Sequence, residues 1–160
     1  LDQARSRRIE LDLGTTVRGP EQQAKLWCRS HSEDEVRKRR GILVPGAPRL
    51  APLLRDEYAA LGPPMTTHMP GLSWHQWGEA ADVYVLVGGV AVWDGSLMKT
   101  VASIAQDVGL THSAWVDRCE PRRRQWHVQL RKHDNPFISQ AKESWDWPAI
   151  DEEMARRFDI

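Results

Sequence analysis

The stretch from Gly78 to Trp93 leaves the backbone few choices. Ala81 to Val87 is a short apolar run of strand length, Gly88-Gly89 makes a two-residue hairpin turn, and Val90-Ala91-Val92-Trp93 is the returning strand. Helical patterns lie on both sides of it. Ser96 to Val108 supplies one, with Leu97, Val101, Ile104 and Ala105 at helical intervals. Upstream, Ile9-Glu10-Leu11-Asp12-Leu13 alternates apolar and polar residues and reads as a further strand, after a polar, helical-looking segment over residues 1–9. Pro20 and Glu21 open a helix that runs to Arg29, with Ala24, Leu26 and Trp27 as its apolar contacts. Ser32-Glu33-Asp34-Glu35 carries a hydroxyl cap and an acidic first turn for a helix that reaches about Arg40 and stops at Gly41. Leu50, Leu53, Leu54, Tyr58 and Leu61 have the spacing of a third helix, which Gly62-Pro63-Pro64 ends. Residues 62–73 form a loop, Trp126 to Arg131 a strand, and 136–144 and 148–158 two short closing helices. The expected architecture is a single α+β domain over residues 1–160, a small, mostly antiparallel sheet with helices packed around it.

Composition narrows the class. A chain of 160 residues can bury a real core, and 41% hydrophobic with 28% charged residues is ordinary for a globular domain. Lys+Arg and Asp+Glu both number 22, which argues against a nucleic-acid partner, since phosphate contacts demand a basic excess. The runs Arg37-Lys38-Arg39-Arg40 and Arg122-Arg123-Arg124 read as solvated faces or loops. No segment is long enough to span a membrane. The start shows no signal-peptide pattern, although Leu1 rather than Met heads the chain. Cys28 and Cys119 either bridge or stay free, and without a CxxC pair they are poor metal ligands. Eight tryptophans stand against two Phe and two Tyr, and core filling is the expected role of most.

The chemistry concentrates in Ser73-Trp74-His75-Gln76-Trp77-Gly78-Glu79-Ala80-Ala81-Asp82. His75 and Asp82 are too far apart for adjacent turns of one helix, but they can flank a bend at Gly78, with small Ala80 and Ala81 letting the chain pass close to an ion. Far downstream, His127 sits in an alternating strand in which Trp126, Val128 and Leu130 face one side and His127, Gln129 and Arg131 the other. Two histidines and one carboxylate are the protein half of a catalytic zinc site, which keeps one coordination position open for water. Taken singly, each of the six histidines suits a structural or surface role as well as a ligand, and Asp82 suits a strand-end hydrogen bond.

The stretch SWHQWGEAADV resembles the SxHxxGxAxD motif of the zinc D-alanyl-D-alanine carboxypeptidase and L-alanyl-D-glutamate endopeptidase family, whose phage-lysin and hedgehog-like members share one zinc fold. Thr16-Val17-Arg18-Gly19-Pro20-Glu21-Gln22-Gln23 resembles the family's upstream arginine segment, and Trp126-His127-Val128-Gln129 its final histidine segment. The likeness covers about residues 9–131. It implies that His75, Asp82 and His127 bind Zn2+ and that Arg18 holds the scissile carbonyl or the developing oxyanion. It further implies that Ser73 contacts substrate or orients the motif loop, and that Gln129 is a donor on the cleft wall. The implied substrate is the peptidoglycan stem peptide, cut at the bacterial cell wall or in the periplasm. The HVQ ending favours the endopeptidase branch, and His75-Gln76 is also familiar from the carboxypeptidase branch. A monomer is expected.

The chain departs from that family at one place. Three residues before the last histidine the family has an acidic general base, and here stands Arg124, which accepts no proton near neutral pH. The nearest acids are Asp117 and Glu120. Three explanations are open: a longer loop delivers Glu120 as the base, catalysis has been lost and zinc kept for binding or structure, or the residue at 124 has been changed.

Overall fold

The structure of the protein, a computed structural model, describes residues 9–63, 65–92, 95–112, 127–130 and 145–160. These residues gather into two compact units, one from the segments up to Val17 and from Trp77 to Leu130, the other from Arg18–Gln76 and residues 145–160. The expected helices over 1–9 and 136–144 lie, all but residue 9, outside the described residues. Among the described residues no helix is long and apolar enough to cross a membrane.

The first unit is the sheet. Strands β1 (Glu10–Leu13), β2 (Ala80–Val87), β3 (Val90–Val92), β4 (Leu110–His112) and β5 (His127–Leu130) form one five-stranded sheet in the order β1-β2-β5-β4, with β3 also paired to β2. Every pairing is antiparallel. The α+β class with a small antiparallel sheet is therefore as expected. Because successive side chains of a strand point to opposite faces, β2 divides cleanly. Val83 and Val85 are buried on one face, with Val128 of β5 beside them. Helix Gly95–Asp107 presents Val101 and Ala105 to this cluster, and Leu97, Leu11 and Leu110 close its margins. Leu97, Val101 and Ala105 recur every four residues, the spacing that keeps one helix face on a partner.

The second unit is helical. Helix α1 (Pro20–Cys28) starts at the proline, whose missing N–H costs nothing in a first turn. It buries Pro20, Gln23, Ala24, Trp27 and Cys28, a stripe at spacings of three and four. Cys28 is a free thiol, and burial pushes it up to about 11, so it fills the core rather than attacking anything. Helix α2 (Glu33–Leu43) begins in a full capping box: Ser32 Oγ accepts from the Glu35 N–H, and the Glu35 carboxylate accepts from the Ser32 N–H. It continues through Gly41, past the expected stop, because Leu43 is fully buried two residues on. The basic run of this helix is an intramolecular one in part. Arg37 pairs with Glu33, Asp34 and Asp56, and Arg40 with Asp56.

The expected helix from Leu50 to Leu61 is instead two single 3-10 turns, Ala51–Leu53 and Asp56–Tyr58. Pro52 lacks an N–H for a longer ladder, and Arg55 between the turns is extended, at φ −101° and ψ 139°. The last helix, Trp147–Phe158, is capped by Asp146 and buries Ile150, Asp151 and Met154. Asp151 works as a buried clamp. Its Oδ1 accepts the N–H groups of Arg49 and Leu50 at 3.1 and 2.9 Å, and its Oδ2 accepts from Arg49 Nη1 at 3.3 Å. Replacing it strands two backbone donors away from water. Asp151→Ala is expected to lower unfolding free energy by about 2–4 kcal/mol. Urea denaturation checks this, and a loss within error of zero would show that the clamp contributes nothing net.

Candidate metal centre

Two residues of the site stand on the sheet face opposite the Val83, Val85 and Val128 cluster. In the β2–β5 ladder Asp82 stands directly opposite His127, and Ala80 opposite Gln129. Cross-strand partners project from the same face, so Asp82, His127, Ala80 and Gln129 share one side. Their strand neighbours Val83 and Val128 belong to the core on the other. Asp82 and His127 are 17% and 19% exposed at the side chain, and His127 Nδ1 is 3.6 Å from Asp82 Oδ1.

The backbone of Asp82 is held from the opposite edge of β2. Its carbonyl accepts the Gly14 N–H and its own N–H donates to the Thr15 carbonyl, both at 2.8 Å. The segment after β1 therefore keeps pairing with Asp82 although the strand proper ends at Leu13. On β5, the Leu130 N–H donates to the Glu79 carbonyl at 3.0 Å, which extends the ladder past the start of β2.

His75 comes from a short helix that the sequence reading did not contain, Trp74–Trp77, here α3. Its four residues cannot stabilise themselves, so the loop around them does the holding. Gln76, almost fully buried, accepts from the Gly71 N–H at 2.8 Å and the Ser73 N–H at 3.4 Å, while its Nε2 donates to Met154 Sδ at 3.7 Å. The Gln76 N–H in turn donates to the Ser73 carbonyl at 2.8 Å. Ser73 is buried, and its N–H and carbonyl both meet Gln76. Gly71 is the residue this turn needs: its φ is +88°, and a Cβ there would stand 2.5 Å from Ile150 Cγ2. Gly78 ends α3 at φ +74°, the bend expected between His75 and Asp82.

His75, Asp82 and His127 each offer one ligand atom, and the three atoms lie within 4.8 Å of one another. His75 is 3% exposed. The donor set fits a divalent first-row cation: two imidazoles and a carboxylate, partly or fully withdrawn from solvent. The 3.6 Å between His127 Nδ1 and Asp82 Oδ1 is long for a hydrogen bond. It suits two ligands of one small ion, since donors about 2.0–2.2 Å from a tetrahedral centre stand about 3.4 Å apart. The group could hold a metal ion.

Arg18 is tied to this group through the main chain, its N–H donating to the His75 carbonyl at 3.3 Å. Its guanidinium is oriented by Gln23, whose Oε1 accepts from Arg18 Nη1 at 3.0 Å. Gln23 is itself fully buried, and its Nε2 donates to Thr66 Oγ1 at 3.1 Å and to the His68 carbonyl at 2.6 Å. Gln129 lies against a ligand rather than apart from it: its Oε1 is 3.0 Å from His127 Nε2. Sequence reasoning placed Gln23 and Gln76 in the motifs but gave neither a task. The only local hint was a polar residue on an otherwise apolar stripe. Asp117, Cys119, Glu120, Arg124 and Trp126 lie outside the described residues. Of the tryptophans in the motif, Trp77 is buried and Trp74 half-buried.

No family model matches the chain, and no curated protein matches it.

Metal binding at the three side chains makes a quantitative prediction. An ion supplied at a hundredfold its Kd should stabilise the native protein by about 2.7 kcal/mol, reversibly with chelator. Asp82→Ala and His127→Ala should each abolish that increment in thermal or urea unfolding. An increment that persists in both variants would place the ion elsewhere.

Proposed function

We propose that the protein is a zinc-dependent peptidase of bacterial cell-wall peptides, with the L-alanyl-D-glutamate bond of the stem peptide as its target. The observation that carries this reading is the convergence of His75, Asp82 and His127, whose ligand atoms lie within 4.8 Å. Their order and spacing match the SxHxxGxAxD motif and final histidine of the zinc carboxypeptidase and endopeptidase family. Imidazole and carboxylate suit zinc, and three protein ligands leave a position for water or substrate. When bound, zinc would supply Lewis acidity, polarising a carbonyl and making water a stronger acid.

The remaining tasks fall to the chain. Arg18 carries a permanent charge, and Gln23 fixes the direction of its fork, so it is suited to an oxygen that gains negative charge during acyl transfer. Buried Gln23 is already ordered before substrate arrives, which lowers the reorganisation needed at that moment. Glu120 is the proposed proton acceptor, taking a proton from the attacking water and returning it to the leaving amine. The D-alanyl-D-alanine carboxypeptidase reaction is the neighbouring specificity, and it uses the same residues.

A second reading rests on Arg124. Where the resembling family has its acid, this chain has a guanidinium, and a zinc-containing protein that binds peptidoglycan or another protein without cutting it would tolerate that change.

Incubation with purified peptidoglycan, followed by mass analysis of the fragments, separates the two. The enzyme should release new amino ends that disappear with chelator and return with zinc. Arg18→Ala should lower kcat/KM by about 100-fold or more, the scale of losing one oxyanion donor. Glu120→Gln should lower it at least as far with zinc still bound. Full zinc occupancy with intact muropeptides favours the binding protein, and Glu120→Gln at the parent rate removes Glu120 as the base.

A further inference from the structure

Gln129 has a position that the proposed chemistry does not yet use. It is two residues from His127 on β5, so the two side chains leave the strand on the same face. Its Oε1 lies 3.0 Å from His127 Nε2, while the other ring nitrogen, Nδ1, points to Asp82 Oδ1 at 3.6 Å. An amide oxygen is only an acceptor, so the nitrogen it meets must carry the proton. A neutral imidazole has one N–H, and placing it on Nε2 leaves the Nδ1 lone pair bare. That lone pair is the one directed at the Asp82 carboxylate, with which it shares a ligand-to-ligand spacing rather than a hydrogen bond.

We propose that Gln129 is a positioning residue that locks His127 in its Nε2–H tautomer, so that Nδ1 is the atom offered to the metal. The proposal rests on the reading that this group holds zinc, and it needs no substrate. The two contacts divide the ring between them. One nitrogen is held by a neighbour on the same strand, and the other faces the partner strand. An imidazole free to rotate or to change tautomer would spend part of its time presenting an N–H where a lone pair is needed. Metal-bound histidines generally carry such a partner on the second nitrogen, and removing it typically costs 10–100-fold in affinity. Gln129 differs from the usual carboxylate partner in being neutral, so it fixes the ring without adding charge beside Asp82.

The test uses zinc alone, measured by competition with a chromophoric chelator, on the full chain. Gln129→Leu should weaken zinc by about 10–100-fold. Gln129→Glu, which keeps an acceptor oxygen at the same reach, should restore most of that loss. Long-range 1H–15N correlation spectra of the zinc-loaded parent protein should show His127 protonated at Nε2 and metal-bound at Nδ1. That spectrum guards against the case in which Gln129→Leu fails to fold. Binding of His127 through Nε2, or equal affinity in the folded Gln129→Leu protein, overturns the proposal. If zinc binds with the expected tautomer and peptidoglycan stays intact, the proposal stands and the peptidase reading fails. If zinc does not bind at all, both fail together.

Discussion

Antiparallel pairing of two short strands is the constraint on which the candidate site depends. In the β2–β5 ladder Asp82 and His127 are exact cross-strand partners, so a shift of register by one residue would send one of them into the core. Register is set from the other face. Val83, Val85 and Val128 are buried against the helix Gly95–Asp107, and any slip would expose them and bury polar groups in their place. Hydrophobic burial on one side thereby fixes ligand geometry on the other. The carbonyl and N–H of Asp82, held by Gly14 and Thr15, add a second lock on the same residue.

Three glutamines, Gln23 and Gln76 buried and Gln129 half-buried, provide the finer positioning. Gln76 gathers the Gly71 and Ser73 amides around α3, Gln23 joins Arg18 to Thr66 and His68, and Gln129 meets His127. An amide suits these places because it donates and accepts at once and carries no charge to desolvate. A charged side chain at the fully buried positions 23 and 76 would have to be desolvated as well. Among the described residues, the charge that the proposed chemistry needs falls on the Asp82 carboxylate and on Arg18.

What was legible in the sequence followed from periods shorter than the fold. Alternation in β5 put His127 and Gln129 on a polar face, the apolar run from Ala81 marked the strand that carries Asp82, and the spacing of Leu97, Val101 and Ala105 marked the covering helix. Gly78 could be read as a bend because few other residues accept its φ of +74°. The misread segment, Leu50 to Leu61, had helical spacing, but Pro52 interrupts its ladder and Asp56 is drawn to Arg37 and Arg40 of α2. That competition is tertiary and leaves no local trace. Strand β4, three residues from Leu110 to His112, is too short to show a period and exists through its pairing with β5. The roles of Gln23, Gln76 and Gln129 were equally hidden, since each depends on what a distant or folded neighbour presents to an amide.

The pleat of β2 and β5 also separates two kinds of sequence freedom. Residues 80, 82, 127 and 129 project to one side, while Val83, Val85 and Val128 project to the other. Changes of chemistry can therefore be explored at the first set without disturbing the apolar layer that gives the sheet its cohesion. Conversely, repacking the second set can harden the scaffold while the ligand identities stay untouched. A protein laid out in this way offers an engineer two nearly independent dials on a single pair of strands.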